Sequence, residues 1–362
     1  MAHLGPTSHA GNAPDPSDFT GSARRVPLMA DALGVTLASL MTMPPEVWSS
    51  TARRAAELGY RSLWTAETTG PEAFALLAAL SAQQPELSLG TGVLALQLRT
   101  PMLAVMGAST LQAQAPDVDV HLGVGISSPV VVGHWHGETY GDRPLAQVRE
   151  YLTLARECLS GEPVTFDGDF YSCRKFRLGV RLGERKPRLV IGALNARMLA
   201  LAGELADGVL LNYLPASAVP WCVEQVRAGE VAAGRPTGSC TVHAYVHVGV
   251  TDLDAARTPA QKDLFSYIVV DSYAQAFRRA GFGDEVDAVR AAHSDRDRDA
   301  ALAAVSDAMI GAIDIVGDAG HIAASVRAYR DAGVDEPVVM PLPWGPDRAA
   351  VVEATLAAAA GA

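Results

Sequence analysis

The sequence predicts an α/β fold, a (β/α)8 TIM barrel with insertions. Its apolar runs are short and lack alternating polar residues, which is typical of strands that helices cover on both faces. Amphipathic stretches separate these runs, and strands that alternate with helices at this spacing form parallel sheets. Seven or eight such units lie within 362 residues, whereas a barrel needs about 250 residues before insertions. A closed barrel is therefore favoured over an open sheet.

The elements follow one another in a regular order. The predicted strands are the apolar runs at 33–39, 62–66, 87–94, 119–125, 188–192, 208–212, 241–250 and 336–341. The predicted helices are the amphipathic stretches at 44–58, 71–83, 101–115, 144–160, 195–206, 220–234 and 319–332. Pro44 and Pro45 suit a first helical turn, and Gly59 and Gly333 suit a left-handed residue after a helix.

A terminal segment and two long connections complete the organisation. Residues 1–28 are rich in Gly, Pro, Ser and Ala without periodicity. They predict a disordered tail, which leaves 29–362 as a single barrel domain. Residues 161–187 predict a hairpin insertion, and residues 258–307 predict a helical one. Long loops over a barrel mouth usually serve function, so we expect both insertions to roof the site.

Composition narrows the setting of the protein. Hydrophobic residues make up 49% of the chain, charged residues make up 19%, and the formal net charge is −11. This charge disfavours nucleic acid and anionic membranes as partners. No apolar run reaches the roughly 20 residues that span a bilayer. The four cysteines form no CxxC pair and suggest no disulfide framework. We therefore expect a cytoplasmic enzyme.

The run TVHAYVHVGV at 241–250 separates the two faces of one strand. Its valines and alanine occupy alternate positions and belong on the outer face, against the helices. His243, Tyr245 and His247 then point into the barrel. His247 lies nearest the carboxyl end, where barrel active sites gather. A direct catalytic role for His247 is one hypothesis, and a buried histidine bonded to a backbone carbonyl is the alternative.

Five segments stand out in order along the chain. They are LGYRSLWTAETTGPEAFALLAAL, LSLGTGVLALQLRTP, VHLGVGISS, GETYGDRPLAQVREYLTLARECLSGEPVTFDGDFY and IGALNARMLALAGELADGVLLNYLPA. Together they resemble the bacterial luciferase-like monooxygenase superfamily, and within it they look most like the branch that uses the deazaflavin coenzyme F420. The resemblance rests on the order of the segments.

The resemblance implies that the deazaflavin ring lies across the carboxyl ends of the barrel strands. In that branch a non-prolyl cis peptide in the third strand forms a bulge behind the ring, and the matching bond here is Gly92-Val93. A plain strand-end glycine is the alternative interpretation of Gly92. We expect the cofactor phosphate at the turn before the helix at 195–206, where free amides and the positive helix end bind anions. The predicted cofactor-binding residues are Thr91, Gly92, Val93, Gly125, Ile126, Ser127, Ser128, Gly192, Ala193, Leu194 and Asn195.

At three positions this chain is compared with the residue pattern of the sugar-phosphate dehydrogenases of this superfamily, and it matches that pattern only in part. Those enzymes carry an acidic residue and then a histidine after the second strand, and a glutamate after the fourth. This chain has Glu67, Thr68 and Ser128 there. A serine hydroxyl does not ionise near neutral pH and cannot replace a carboxylic acid in proton transfer. Sugar-phosphate oxidation is therefore not expected.

Four ionisable residues are candidates for catalytic proton transfer: Glu67, His134, His136 and His247. Glu67 follows the second strand, and its alternative role is a carboxylate that backbone amides satisfy at a helix start. His134 and His136 lie in the loop after the fourth strand, where a plain surface loop is the alternative. They also resemble a metal pair, but no third ligand stands nearby at suitable spacing, so we expect no metal. The predicted substrate contacts are Trp135, Asn212, Tyr213 and Tyr245.

The leading hypothesis is hydride transfer between coenzyme F420 and a small organic substrate. The reaction reduces a C=C or C=N group, or runs in reverse, and the hydride chemistry belongs to the cofactor. The nearest alternative is an FMN-dependent monooxygenase that receives reduced flavin from a separate reductase. A non-catalytic barrel that binds a flavin-like ligand is the third hypothesis. It stays open because the histidine and the glutamate of the dehydrogenases are missing from this chain. Family members commonly pair through barrel helices, so we also expect a homodimer.

Overall fold

Eight parallel strands close into a barrel in the computed structural model, which describes residues 32–362. The strands in chain order are β1 (Gly34–Thr36), β2 (Ser62–Thr65), β3 (Ser88–Thr91), β4 (Leu94–Ala95), β5 (Val120–Gly125), β6 (Val164–Asp167), β7 (Ser172–Phe176), β8 (Arg188–Gly192), β9 (Gly208–Leu211), β10 (Thr241–Val250), β11 (Asp314–Gly317) and β12 (Glu336–Pro341). The barrel consists of β1, β2, β3, β5, β8, β9, β10 and β12, and it closes where β12 pairs with β1 and β9 pairs with β10. The prediction of a (β/α)8 barrel is confirmed. The predicted tail at 1–28 lies outside the described residues.

The helices surround this barrel. They are α1 (Pro45–Glu57), α2 (Ala73–Ser81), α3 (Pro101–Gln114), α4 (Pro144–Cys158), α5 (Ala196–Leu205), α6 (Val219–Ala232), α7 (Leu253–Ile268), α8 (Asp271–Arg279), α9 (Gly283–Ser294), α10 (Arg298–Ala303), α11 (Asp307–Ile313), α12 (Ala319–Asp331) and α13 (Arg348–Ala360). All seven predicted helices are present. Gly59 and Gly333 follow their helices with φ angles of +84° and +106°, as predicted. Among the described helices, none has both the length and the apolar character needed to cross a bilayer.

Strand β10 separates its two faces as the sequence predicts. Val246 packs into the core between the barrel and the helices, whereas Tyr245 packs with Trp64 inside the barrel. His243 and His247 share the inner face with Tyr245 and are buried. The strand therefore carries its polar side chains toward the barrel axis.

A bulge interrupts the third strand of the barrel. From Gly90 to Leu94 the chain advances four residues, while the paired stretch of β5 advances three, from His121 to Val124. The peptide bond between Gly92 and Val93 within this bulge is cis. The predicted non-prolyl cis peptide is therefore confirmed.

The first insertion is the predicted hairpin, formed by β6 and β7, but it flanks the barrel. It connects the carboxyl end of α4 to the amino end of β8, and such connections start at the face opposite the mouth. The carboxylate of Glu150 on α4 accepts the backbone N–H groups of Asp169, Phe170 and Tyr171 in the hairpin turn. The hairpin is held along α4, so the expectation that it roofs the mouth is wrong.

The second insertion follows β10 at the mouth end. It contains α7 to α11, a wider span than the predicted 258–307. Phe277, Val286 and Ile310 form part of its own core, and Tyr213 of the barrel packs into that core. The insertion ends in β11, an unpredicted strand that pairs with the second half of β10. Strand β11 is short and directly follows α11, so periodicity alone does not separate it from the helix.

Candidate active site

The carboxyl ends of the barrel strands bring the predicted site residues to one mouth. Glu67, Gly92, Ser128, Asn195 and Asn212 each lie within three residues of the end of a strand. Parallel strands of a barrel end at the same face, and barrel active sites form there. These positions therefore share one surface although they are far apart in sequence.

Gly92 and Val93 form one wall of the mouth. The hydroxyl of Tyr245 donates a 2.8 Å hydrogen bond to the carbonyl oxygen of Gly92 from inside the barrel. A Cβ atom on Gly92 would lie 2.8 Å from Cδ2 of Leu210, so the position has room for glycine alone. Val93 is partly exposed, and a Cβ atom on the adjacent Gly125 would lie 2.7 Å from its Cγ2. The residues of this wall are apolar, which suits one face of a planar ring.

Thr91 supports this wall from below. Its Oγ1 donates to the carbonyl oxygen of Gly123 at 2.9 Å and accepts the N–H of the same residue at 2.8 Å. The side chain is buried. Thr91 therefore ties the bulge to β5 through its side chain and does not face the mouth.

The loop after β5 leads into a π-helical segment at Val130–Trp135. Ser127 has a φ angle of +51°, and Oγ of Ser128 accepts a backbone N–H at the start of the segment. Nε2 of Gln97 donates to the carbonyl oxygen of Ile126 at 3.0 Å and fixes the loop from the other side. Single π-helical turns are frequent at functional sites. The Ser128 hydroxyl has a structural partner here.

The turn between β8 and α5 carries features that favour an anion. Asn195 caps the helix, and its Oδ1 accepts the N–H of Met198 at 3.0 Å. The guanidinium of Arg279 donates to the carbonyl oxygen of Leu194 at 2.7 Å and lies over the ring of Trp221. A helix start and a fixed cation next to it both stabilise negative charge. Sequence reasoning missed Arg279, because it comes from the helical insertion.

Glu67 forms an ion pair. Its Oε1 and Oε2 accept hydrogen bonds of 3.0 and 3.3 Å from the guanidinium of Arg99, and both side chains are less than one-fifth exposed. Oε1 also accepts the N–H of Ala73, the first residue of α2, at 3.3 Å. Both carboxylate oxygens are therefore engaged, which matches the alternative interpretation of Glu67 as a carboxylate at a helix start.

The loop histidines lie at the rim of the mouth. Nε2 of His136 lies 3.1 Å from the carbonyl oxygen of Thr68, so the loop after β5 reaches back to the loop after β2. His134, Trp135 and His136 are all exposed. The structure thus brings a histidine beside the position where the resemblance expected one and the sequence has Thr68.

His247 lies beneath the mouth and contacts polar groups through both ring nitrogens. Nε2 lies 2.8 Å from Oδ1 of Asn212, and Nδ1 lies 3.0 Å from Oδ1 of Asp314. The Tyr213 ring packs against the His247 ring with centroids 4.2 Å apart, and the Tyr213 hydroxyl donates to Oδ2 of Asp263 at 2.8 Å. His247 therefore bonds to side chains, and not to the backbone carbonyl that the alternative hypothesis expected.

Burial controls the protonation of this cluster. It lowers the pKa of His247 to about 4, against the opposing charge of Asp263. Burial raises the pKa of Asp314 well above its usual value. Burial, together with the charge of Asp314, raises the pKa of Asp263 to about 7. Sequence reasoning missed both aspartates, since Asp263 lies within the helical insertion and Asp314 lies on the unpredicted β11.

The predicted substrate contacts fall into two groups. Asn212 is partly exposed and Trp135 is 55% exposed, so both are accessible at the mouth. Tyr213 and Tyr245 are buried, and their hydroxyls are bonded to Asp263 and Gly92. The two tyrosines therefore lie beneath the surface that a substrate would touch.

Comparison with known proteins gives matches along most of the chain. A family model described as luciferase-like monooxygenase matches residues 37–336. A protein of Mycobacterium tuberculosis that is named as a coenzyme F420-dependent oxidoreductase is 28% identical over 328 residues, which cover 85% of this chain and 94% of the relative. A 5,10-methylenetetrahydromethanopterin reductase of Archaeoglobus fulgidus is 29% identical over 301 residues, which cover 81% and 89%.

Solved structures share the fold. A coenzyme F420-dependent tetrahydromethanopterin reductase from Methanopyrus kandleri matches with a TM-score of 0.73 at 22% identity, and the match covers 90% of this chain and 97% of that chain. A type II Baeyer-Villiger monooxygenase from Pseudomonas putida, solved in complex with FMN, matches with a TM-score of 0.60 at 16% identity and covers 86% and 92%. The barrel is thus shared by enzymes that use different cofactors.

Proposed function

The chain belongs to the luciferase-like monooxygenase family, and from this premise we propose that it is an oxidoreductase that transfers a hydride between coenzyme F420 and a small organic substrate. Two curated relatives that match over most of their length are named for coenzyme F420 or for a reductase. The observation that carries the proposal is the apolar wall at Gly92 and Val93, where the hydroxyl of Tyr245 holds the carbonyl oxygen of Gly92 in place.

The coenzyme would use three parts of the mouth. The wall formed by Gly92 and Val93 would back the ring, and the turn at Gly192–Asn195 with Arg279 would hold the phosphate of the tail. The loop at Gly125–Ser128 would contact the ring edge through backbone groups, because the Ser128 hydroxyl is already bonded. When bound, the coenzyme supplies the hydride chemistry, while the protein orients the ring and excludes water.

We propose that Asn212 and Trp135 contact the substrate. Oδ1 of Asn212 accepts from Tyr213 and His247, and its amide group bonds the Tyr273 hydroxyl, which leaves one N–H of the amide as a fixed donor for the substrate. Tyr213 and Tyr245 would act indirectly, by supporting Asn212 and the wall. The helical insertion after β10 supplies the cover above them.

We also propose His136 as the proton donor of the reaction. Of the four predicted candidates, Glu67 is engaged by Arg99, and the ring of His247 is buried behind Asn212. His134 lies on the same exposed segment, but it is His136 whose ring contacts the β2 loop at the mouth. A positioned acid can then protonate the substrate as the hydride arrives.

A titration of the purified full-length protein with coenzyme F420 and, in parallel, with FMN tests the proposed function. We expect binding of coenzyme F420 at least about tenfold tighter than binding of FMN, and oxidation of the reduced coenzyme with C=C or C=N substrates. Tight binding of FMN without binding of coenzyme F420 would favour a monooxygenase supplied by a separate reductase. Bound coenzyme that never changes its redox state would favour the non-catalytic barrel.

We further propose that the protein acts as a cytoplasmic homodimer. Leu103 and Met106 lie one helical turn apart on α3 and are 48% and 45% exposed. Adjacent exposed apolar side chains form contiguous apolar surface, and association buries such surface. Sedimentation should give about twice the 37.9 kDa of one chain, and Leu103→Glu with Met106→Glu should reduce it to one chain. Sedimentation of the wild type as a monomer at micromolar concentration would contradict the dimer.

A further inference from the structure

Three ligand groups converge where the barrel meets the helical insertion. His247 on β10, Asp314 at the start of β11 and Asp263 on α7 each offer one nitrogen or oxygen atom, and these atoms lie within 4.8 Å of one another. The side chains of His247 and Asp314 are 1% and 0% exposed. Carboxylates removed from water need a partner of opposite charge or a proton.

The hydrogen bonds of Asn212 decide which nitrogen of His247 is the donor. One side-chain atom of Asn212 accepts the backbone N–H of Tyr213 at 3.0 Å, which identifies it as the carbonyl oxygen Oδ1. The same oxygen lies 2.8 Å from Nε2 of His247, so Nε2 carries the hydrogen. Nδ1 of the neutral ring then presents a lone pair, yet it lies 3.0 Å from Oδ1 of Asp314. Two acceptors at this distance require a proton or a cation that both can bind.

A single proton does not satisfy the whole cluster. Oδ2 of Asp314 is buried and has no hydrogen-bond partner among residues 32–362. Asp263 receives the hydroxyl of Tyr213 on Oδ2, and within the described chain neither aspartate pairs with a lysine or an arginine. A cation bound by Nδ1 and by an oxygen of each aspartate would compensate both carboxylates and the lone pair together.

We propose that His247, Asp263 and Asp314 bind one divalent transition-metal ion. An imidazole nitrogen with two carboxylates suits Mn²⁺, Fe²⁺ or Zn²⁺ better than Ca²⁺ or Mg²⁺, which prefer oxygen ligands alone. The hydrogen bond from Nε2 to Asn212 is the kind of outer contact that orients a metal-binding histidine. The ion joins α7 of the helical insertion to β10 and β11. Through His247 it also fixes Asn212 at the mouth.

Metal titration of the full-length protein tests this site. The protein is stripped with a chelator and titrated with Mn²⁺, Zn²⁺ and Co²⁺, and the bound ion is counted by elemental analysis. We expect one equivalent of at least one ion and a higher Tm with that ion. Asp263→Asn and Asp314→Asn should each weaken the affinity by at least about tenfold. Asp284→Asn, an exposed aspartate on α9 of the same insertion, is the matched control and should bind as the wild type does.

The variants keep the proposal testable even if the cluster holds a proton. Asparagine at position 314 can donate its amide hydrogen to Nδ1 of His247, so Asp314→Asn should remain folded in either case. Failure of folded wild-type protein to bind any of the three ions stoichiometrically would overturn the proposal. Equal affinity in Asp314→Asn and the wild type would overturn it as well. These measurements use no coenzyme, so their outcome does not depend on the proposed hydride transfer.

Discussion

The hydroxyl of Tyr245 reaches across the interior of the barrel and donates a 2.8 Å hydrogen bond to the carbonyl oxygen of Gly92. Tyr245 lies in the middle of β10, and Gly92 lies in the bulge that follows β3. Both residues are buried. The wall of the mouth is therefore held from inside the barrel, by a buried side chain.

Tyr245→Phe tests this support. The variant keeps the aromatic ring and leaves the buried carbonyl of Gly92 without its donor, which should lower the free energy of unfolding by about 1–3 kcal/mol. Binding of coenzyme F420 should weaken severalfold in the same titration. Tyr329→Phe is the matched control, because its hydroxyl donates to the buried carbonyl of Leu214 away from the wall. If both variants weaken coenzyme binding equally, Tyr245 has no special role at the wall.

Gly92→Ala should lose both stability and coenzyme affinity. A Cβ atom at this position collides with the hydroxyl oxygen of Tyr245 and lies 2.8 Å from Cδ2 of Leu210. Tyr245→Phe removes the hydroxyl oxygen with which the new Cβ atom collides. The double variant should therefore lose less unfolding free energy than the sum of the losses in the two single variants. Denaturant unfolding of the four proteins measures this coupling. Strict additivity would mean that the two residues do not meet as described.

Glu67→Gln should leave turnover nearly unchanged. Both carboxylate oxygens are bonded to Arg99, and Oε1 also bonds the start of α2, so the group acts on the conformation of the β2 loop. The expected effect is a lower Tm, which Arg99→Gln should reproduce. Steady-state kinetics with reduced coenzyme F420 provide the check. A fall of about 10²-fold or more in kcat, with coenzyme binding intact, would return Glu67 to the role of general acid.

His136→Ala and His134→Ala form a matched pair on one exposed segment. Loss of a true proton donor should reduce kcat by about 10² to 10⁴-fold while coenzyme affinity stays within a small factor. We expect this for His136, which contacts Thr68 at the rim, and only a minor change for His134. Full turnover in both variants would mean that solvent or another residue supplies the proton.

The sequence was sufficient for those features that depend on local pattern. The apolar runs and the alternation at 241–250 each lie within one short segment, and the structure confirms the barrel and the inner face of β10. The cis bond at Gly92 is implied by the resemblance to the F420 branch rather than by local pattern, and the structure confirms it. The contacts of the site depend instead on how distant segments pack. Glu67 meets Arg99 from another connection, and Oδ1 of Asp314 meets His247 across 67 residues of chain.

The helical insertion explains most of what the sequence could not predict. Because the insertion packs at the end of β10, Arg279 reaches the turn after β8 and Asp263 reaches Tyr213. Neither contact can be recognised from a sequence pattern. Strand β11 was missed because four residues after a helix carry too little periodicity. The sequence predicts the hairpin, but its packing on Glu150 depends on tertiary contacts, so the expectation that it covers the mouth is wrong.

The stability of the fold should decrease in mild acid, in part through His121. Its ring stacks on Trp64 with centroids 5.0 Å apart, next to His243 of β10, Glu336 of β12 and Arg188 of β8. Burial, together with the charge of His243, lowers the pKa of His121 from 6.5 to about 3, against the opposing charge of Glu336. At a pH between these two values the unfolded chain binds one more proton at this residue than the folded chain does. The free energy of unfolding therefore falls as the pH decreases below 6.5, by about 1.4 kcal/mol per pH unit.

His121→Gln isolates this contribution. Glutamine does not titrate, so the free energy of unfolding of the variant should decline less steeply with decreasing pH. Between neutral pH and pH 5 the wild type should lose about 2 kcal/mol more than the variant does. Denaturant unfolding at half-unit steps of pH gives the two slopes. The substitution also removes packing on Trp64, which shifts the whole curve downward without changing its slope, so the slope and not the absolute stability is the relevant quantity. Parallel curves for the two proteins would show that His121 is not held neutral inside the barrel.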